Sequence, residues 1–278
     1  MATLARRGRT TPPDDGWMSP VSSGLALAGF LTIVLIGFTL LAMTRLESID
    51  TYFNVQRPPH GWVPVLHVLD RIGQRAVCLP LLAIVTFYCC RRQESWRPAW
   101  VVAVSVFSLN LVVLILKVGL GRAEPVSADP SFFQGGMAYP SGHTSNIVLV
   151  YGLCVFLLGK YGAVRRHALA VMWGLVMLLS LVMVVTSVTL TWHWFADLIA
   201  GLLVGGIILQ LTEAIDAMVS KDALRGGPQT LLRRRRQPRA SPKPVSATPS
   251  SAPATVAEVV DPVGLAETPP AVPARKSP

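Results

Sequence analysis

Long apolar runs separated by short basic clusters are the dominant pattern of this chain. Residues 21–43 contain no charged side chain, and a run of this length can cross the hydrocarbon core of a bilayer. The run is longer than the apolar part of a secretory signal peptide and has no small-residue cleavage site after it. We therefore expect an uncleaved first transmembrane helix here.

Five further apolar runs predict five more membrane-spanning helices. Their predicted ranges are 76–90, 98–116, 137–159, 168–191 and 194–211. The first of these is short for a span, and it suffices only if Arg75 and Arg91 extend their side chains to the two membrane surfaces. The pattern thus predicts an all-α, polytopic membrane protein with six transmembrane helices.

The segment between the first two spans, residues 44–75, has a mixed pattern. Apolar side chains such as Trp62, Val65 and Leu69 recur at helical spacing, and polar side chains occupy the other side. Such an amphipathic stripe is typical of a helix that lies at the membrane surface. We expect one short surface helix in this segment.

The distribution of Lys and Arg predicts the orientation in the membrane. Basic clusters at 6–9, 91–97, 160–166 and 221–239 all fall on one side of a six-span arrangement. Cytoplasmic loops of membrane proteins are enriched in Lys and Arg. We therefore expect a multi-pass cell-membrane protein with both termini in the cytoplasm, so that the loop after Lys117 and the connection around His193 face the outside.

Composition and charge narrow the class of protein. The chain is 51% hydrophobic and only 14% charged, which excludes an ordinary soluble domain. The net charge of +10 would suggest nucleic acid in a soluble protein, but here the basic residues lie between apolar runs and follow the topology. We expect no nucleic-acid partner. The four cysteines lie within apolar runs without metal-type spacing, so they are interpreted as core residues.

The two ends of the chain are polar and cannot build a core. The predicted organisation is a flexible cytoplasmic N-terminus (1–20), a six-helix membrane domain (21–215), and a cytoplasmic tail (216–278) that is basic and then disordered and rich in Pro, Ala and Ser. We expect the arginines at 233–236 to lie against anionic lipid. A specific lipid or partner site at these arginines is the alternative.

Two groups of polar residues on the predicted outer face suggest phosphate binding. Lys117 and Arg122 supply positive charge near the end of the third span. Ser141, Gly142 and His143 form a turn that opens a helix, where free backbone N–H groups and the helix dipole favour an anion. Each feature alone also has a plain structural explanation, as an interfacial helix end, a solvated loop residue or a helix-opening turn.

A third group, His193 and Asp197, predicts a nucleophile. Four residues separate them, so we expect both on one helical face, where the carboxylate holds one imidazole nitrogen and leaves the other free to react. An intrahelical polar contact is the alternative, but ionisable residues within a membrane span are costly and usually functional. Phosphoryl transfer would use all three groups, with His143 as the acid. The sequence shows no cluster with metal-ligand spacing, so we expect no metal ion or cofactor.

These residues resemble the motifs of the type-2 phosphatidic acid phosphatase family, which is related to vanadium-dependent haloperoxidases. Lys117 and Pro125 match the first motif, residues 140–143 match its Pro-Ser-Gly-His motif, and His193 with Asp197 matches the third. The resemblance covers residues 62–211. It implies a six-helix membrane fold, a phosphohistidine intermediate on His193 and His143 as general acid. Bacterial members act on lipid phosphates and polyprenyl diphosphates at the outer face.

Two positions depart from the family pattern. Glu124 and Ser187 stand where the family has arginines. Loss of one charge-assisted contact to phosphate costs about 1.5–3 kcal/mol, which corresponds to roughly 10–150-fold. We expect Arg122, two positions before Glu124, to reach the same phosphate.

Three functions remain compatible with the sequence. The first is a metal-independent phosphatase acting on a phospholipid or polyprenyl phosphate outside the cytoplasm. The second is a phosphotransferase that moves a head group between lipids, and the third is a non-catalytic membrane scaffold of the same fold. The sequence determines neither the lipid nor the oligomeric state.

Overall fold

The structure is a computed structural model that describes residues 19–54 and 60–219. In this part of the chain the regular secondary structure is helical. The α-helices are α1 Pro20–Ala42, α2 Glu47–Asn54, α3 Val63–Arg71, α4 Arg75–Gln93, α5 Arg97–Leu120, α6 Gly142–Asn146, α7 Gly152–Lys160, α8 Arg166–Thr189 and α9 Phe195–Met218. A π-helical segment, Ile147–Tyr151, joins α6 to α7, and short 3-10 segments occur at His60–Trp62 and Pro125–Ser127. The N-terminal segment 1–18 and the basic run at 233–236 lie outside the described residues.

Six helical segments are long and apolar enough to cross a membrane. The first, Val21–Ala42, lies within α1, and the last two are α8 and α9. The other three are the combined segments Val63–Gln93, Arg97–Ser127 and Gly142–Lys160. This confirms the predicted all-α fold with six transmembrane helices. The side on which the termini lie stays a prediction.

The helix ends differ from the predicted ones where polar residues join a helix. Helix α4, which corresponds to the predicted second span, covers Arg75–Gln93 and is followed by Glu94, which has a left-handed backbone conformation. It is therefore longer than the predicted 76–90. Helix α9 continues to Met218, beyond the predicted 211, because the carboxylate of Asp216 is buried in ion pairs with Arg97 and Lys160.

The short helix predicted from the apolar stripe forms as α3, and the segment 44–75 also contains an earlier short helix, α2, that was not predicted. In the sequence Pro58 and Pro59 lie between them, and proline lacks the backbone N–H that a continuous helix requires. The two helices bury one carboxylate each, Asp50 and Asp70.

Helix α9 is central and packs against α1, α5 and α6. Its glycines permit this close packing within one chain. A Cβ at Gly201 would lie 2.5 Å from the carbonyl oxygen of Ser141, and one at Gly205 would lie 2.7 Å from that of Ser145. Apolar side chains on the outer helices, such as Ile33, Phe107 and Met177, are largely exposed, as expected for surfaces that contact lipid.

A buried ion-pair cluster lies at the start of α5 and the end of α9. The Asp216 carboxylate is 2.7 Å from Nε of Arg97 and 2.6 Å from Nζ of Lys160. It also accepts a hydrogen bond of 2.5 Å from the hydroxyl of Tyr161. The cluster connects α5, α7 and α9 at the end of the bundle opposite to Lys117.

Candidate active site

The turn at residues 139–141 is joined to the start of α9 by hydrogen bonds. The backbone N–H of Ser141 donates to the carbonyl of Asp197 at 2.9 Å, and the hydroxyl of Thr144 donates to that of Leu198 at 3.0 Å. The fourth span therefore begins at Gly142, after the turn, and not at the predicted position 137. These bonds bring the His143 turn next to the His193 segment.

His143 and His193 face a common space. Their ring centroids are 6.3 Å apart, and the ring of Trp192 lies 6.2 Å from that of His143. The His143 side chain is 27% exposed and that of His193 is 13% exposed. The structure thus brings together the two predicted catalytic histidines in a partly open site.

His193 is paired with Asp197, although not in the way that we predicted. Helix α9 begins at Phe195, so His193 precedes the helix and does not share a helical face with Asp197. The pairing arises because Asp197 lies in the first turn of α9, where its Oδ2 accepts the backbone N–H of Trp194 at 3.0 Å. The same oxygen is 3.5 Å from Nδ1 of His193. This leaves Nε2 as the nitrogen available for reaction.

Arg122 is buried and bound to protein groups on every side. Its guanidinium is 2.6 Å from Oδ1 of Asp197 and 2.5 Å from Oδ2 of Asp50, and its Nε donates to the carbonyl of Pro130 at 2.9 Å. The side chain is 0% exposed and lies over the ring of Phe132. The structure therefore places Arg122 behind the carboxylate of Asp197 and not in the open space between the histidines.

Asp50 completes this buried charge group, and the sequence analysis did not identify it. Its Oδ1 accepts the backbone N–H of Ala196 at 2.9 Å, and its Oδ2 binds Arg122. Burial raises the pKa of the Asp50 carboxyl, an effect that the charge and hydrogen bond of Arg122 oppose. In the sequence, Asp50 is one of several polar residues in an amphipathic segment, and no signal separates it from the others.

Lys117 lies in the last turn of α5, and its ammonium group donates to the carbonyl of Met137. Glu124 binds the same residue, since its carboxylate accepts the backbone N–H of Met137 at 3.0 Å. Arg75, at the start of α4, is close enough to interact electrostatically with both Lys117 and His143. Arg75 is exposed and forms no ion pair with any other described residue. The sequence analysis interpreted it only as a residue that reaches the membrane surface.

The backbone around Ser141 and Gly142 leaves room for a bound group. A Cβ at Gly142 would meet no atom within 4 Å. The Ser141 hydroxyl is buried and has no hydrogen-bond partner among the described residues. Ser187, at a position where the family has arginine, is buried and donates to the sulfur of Met183 at 3.4 Å, so it contributes no charge.

Asp70 lies next to His143 and was not predicted as a site residue. Its Oδ2 is 3.7 Å from Nε2 of His143 and accepts the amide of Gln74 at 3.1 Å. The sequence analysis placed Asp70 on the polar side of a surface helix, but its side chain is 0% exposed. Among the described residues, no three His, Cys, Asp or Glu side chains are grouped as they would be around a metal ion.

Comparisons with known proteins agree with this fold. Residues 98–218 match the family model of the PAP2 superfamily. The fold is similar to the crystal structure of a transmembrane PAP2-type phosphatidylglycerolphosphate phosphatase from Bacillus subtilis, with a TM-score of 0.57 and 18% sequence identity. That match covers 73% of this chain and 98% of the other. No curated protein sequence matches this chain.

Proposed function

Because residues 98–218 match the family model of the PAP2 superfamily, we propose that this multi-pass membrane protein is a lipid phosphatase that hydrolyses a phospholipid phosphate or a polyprenyl diphosphate. The observation that carries the proposal is the pair of histidines, 6.3 Å apart between ring centroids, one of which has a carboxylate 3.5 Å from its Nδ1. Transfer of a phosphoryl group to a histidine uses such a pair: one histidine attacks phosphorus, and the other donates a proton to the leaving oxygen.

In the proposed mechanism His193 is the nucleophile. Asp197 holds the Nδ1–H of the imidazole, and Nε2 attacks phosphorus to form a phosphohistidine. His143 donates a proton to the leaving oxygen as the P–O bond breaks. His143 then accepts a proton from the water that attacks the phosphohistidine, and this releases phosphate and restores His193. Neither step requires a metal ion.

The phosphate oxygens would be bound by Lys117, by Arg75 and by the backbone N–H groups at Gly142 and His143. The open space at Gly142 and the helix that begins there support this assignment. Arg122 takes a different role from the one expected from the sequence. Because its guanidinium hydrogen bonds are directed to Asp50, Asp197 and Pro130, we assign it to the support of Asp197.

We further propose that the site faces the outside of the cell membrane. The histidines lie at the same end as Lys117, whereas the two basic clusters among the described residues, 91–97 and 160–166, fall at the end where Arg97, Lys160 and Asp216 are paired. An excess of Lys and Arg favours the cytoplasmic side.

The test is phosphate release by detergent-purified protein in the presence of EDTA. Phosphatidate, phosphatidylglycerol phosphate and a polyprenyl diphosphate are the substrates. We expect release from at least one of them and its loss in His193→Ala. His167→Ala is the matched control, because His167 is exposed near the start of α8, at the opposite end of the bundle. Activity that EDTA abolishes would contradict the metal-free mechanism, and activity that survives His193→Ala would contradict the nucleophile.

A phosphotransferase is the second candidate, and the replacement of two family arginines by Glu124 and Ser187 favours it. An alcohol acceptor added to the same assay separates the two, because a transferase yields a phosphorylated acceptor in place of free phosphate. A chain that releases no phosphate from any of the lipids, and whose His193→Ala variant behaves like wild type in cells, would be a scaffold.

A further inference from the structure

Asp70 differs from the other buried aspartates of the described residues in its partners. Asp50, Asp197 and Asp216 each form an ion pair with an arginine or lysine. The ion-pair partner of Asp70 is His143, at 3.7 Å. Its Oδ1 is buried without a hydrogen-bond partner among the described residues. Since an unpaired buried carboxylate is costly, a positive charge on the nearby imidazole of His143 would stabilise Asp70.

The fold holds Asp70 and His143 close together. The carbonyl of Asp70 accepts the backbone N–H of Gly73 at 3.1 Å. A Cβ at Gly73 would lie 2.7 Å from Cε of Met183 and 3.4 Å from Cβ of His143. Because Gly73 has no side chain, the connection between α3 and α4 can lie directly against His143. Gln74 fixes the Asp70 carboxylate from the same connection.

The other charged groups that face His143 are positive or become positive. They are Lys117 on α5, Arg75 on α4 and His193 before α9. Burial of the imidazole disfavours a proton on His143 and so do all three of these groups, whereas a general acid must carry a proton before it reacts. Asp70 on α3 is the negatively charged group that opposes them.

We propose that Asp70 is a positioning residue that favours the protonated form of His143 and orients it for proton donation to the leaving oxygen. The site then contains two carboxylate–histidine pairs. Asp197 pairs with the nucleophile His193, and Asp70 pairs with the acid His143. This inference rests on the proposed phosphatase function. In each cycle the imidazolium proton moves to the leaving oxygen as the P–O bond breaks, and the proton of the attacking water restores it.

The dependence of the rate on the leaving group tests this role. Release of a lipid alcohol from phosphatidate needs a proton, whereas release of nitrophenolate from p-nitrophenyl phosphate does not. We expect Asp70→Asn to lower kcat for phosphatidate about 100-fold, the low end of the contribution of a general acid. We expect a change of less than about threefold for the aryl substrate, because its release does not use the proton. His143→Gln should lower both rates, because it also removes the base that accepts the proton of the attacking water.

A purely structural role of Asp70 would lower both rates equally, and that result would overturn the proposal, as would an unchanged rate for phosphatidate. Asp129→Asn is the matched control. Asp129 is an exposed loop residue whose carboxylate binds Ser131, and its replacement should change neither rate.

Histidine NMR provides a readout that does not depend on activity. In protein labelled with ¹⁵N-histidine, the His143 signal is identified by its absence in His143→Gln. We expect the fraction of imidazolium at His143, near neutral pH, to be smaller in Asp70→Asn than in wild type. An equal fraction in both would overturn the proposal even if no substrate is hydrolysed. Conversely, a wild-type protein that releases no phosphate but shows this difference would refute the proposed function and leave the pairing of Asp70 with His143 intact.

Discussion

Replacement of Gly201 by alanine would separate the two histidine segments. The added Cβ would lie 2.1 Å from the hydroxyl of Thr144 and 2.5 Å from the carbonyl oxygen of Ser141. The threonine side chain can rotate away, but the carbonyl belongs to the backbone of the His143 turn. Ordinary contact begins at 3.4 Å, so the turn must withdraw from α9 by roughly 1 Å, an amount typical of the displacements that disturb active sites.

This displacement acts on the reacting groups directly. The hydrogen bond of 2.9 Å from Ser141 to Asp197 connects the turn to the carboxylate-bearing turn of α9, and it must lengthen. A misplacement of about 1 Å costs on the order of 100-fold in rate. Insertion of a methyl group into a packed contact also costs about 1–3 kcal/mol of stability. We therefore expect Gly201→Ala to fold with a lowered melting temperature and to lose about 100-fold in kcat.

The assay is phosphate release at saturating substrate, with thermal unfolding measured in the same detergent. Gly206→Ala is the control, because a Cβ at Gly206 on the same helix would meet Leu31 at 3.6 Å, an ordinary contact. It should retain both rate and stability. A stable Gly201→Ala variant with wild-type kcat would refute the reasoning, since the turn and α9 would then not need to be this close.

Three further substitutions test the assignments of charge. Arg122→Gln should lower stability by about 3–5 kcal/mol, because it leaves the carboxylates of Asp50 and Asp197 buried without their cation; a stable variant with a raised KM would instead make Arg122 a substrate ligand. Asp216→Asn should lower the free energy of unfolding by a similar amount but leave kcat of the folded protein unchanged, and a lower kcat would contradict the structural role of Asp216. Arg75→Gln should raise KM for phosphatidate about tenfold through the loss of one charged contact, and an unchanged KM would remove Arg75 from the phosphate site.

The sequence predicted the membrane spans well because a bilayer requires long apolar runs, and such runs are visible without any tertiary information. Helix ends were less predictable. Two acidic residues, Glu213 and Asp216, follow the apolar run of α9, and the sequence does not show that Arg97 and Lys160 pair with Asp216 from other helices. Without those contacts, the first acidic residue after an apolar run indicates the end of a span.

The candidate site was predictable where spacing along the chain carries the information. His143, His193 and Asp197 follow from motifs. The roles of Asp50 and Asp70 do not, because each is defined by a partner distant in sequence. Arg122 shows the same limit: a cation near the first motif is equally compatible with a bound phosphate and with a buried carboxylate, and only the fold distinguishes them.

With both of its carboxylates ionised, the group formed by Asp50, Arg122 and Asp197 is not electrically neutral. Two ionised carboxylates and one guanidinium leave one surplus negative charge, and one of its oxygens lies 3.5 Å from Nδ1 of His193. In the proposed mechanism, phosphorylation at Nε2 turns that imidazole into a cation. The surplus charge would then stabilise the intermediate more than the resting histidine. The buried arginine thus limits this surplus to a single charge, which is the amount that one phosphorylated imidazole can balance.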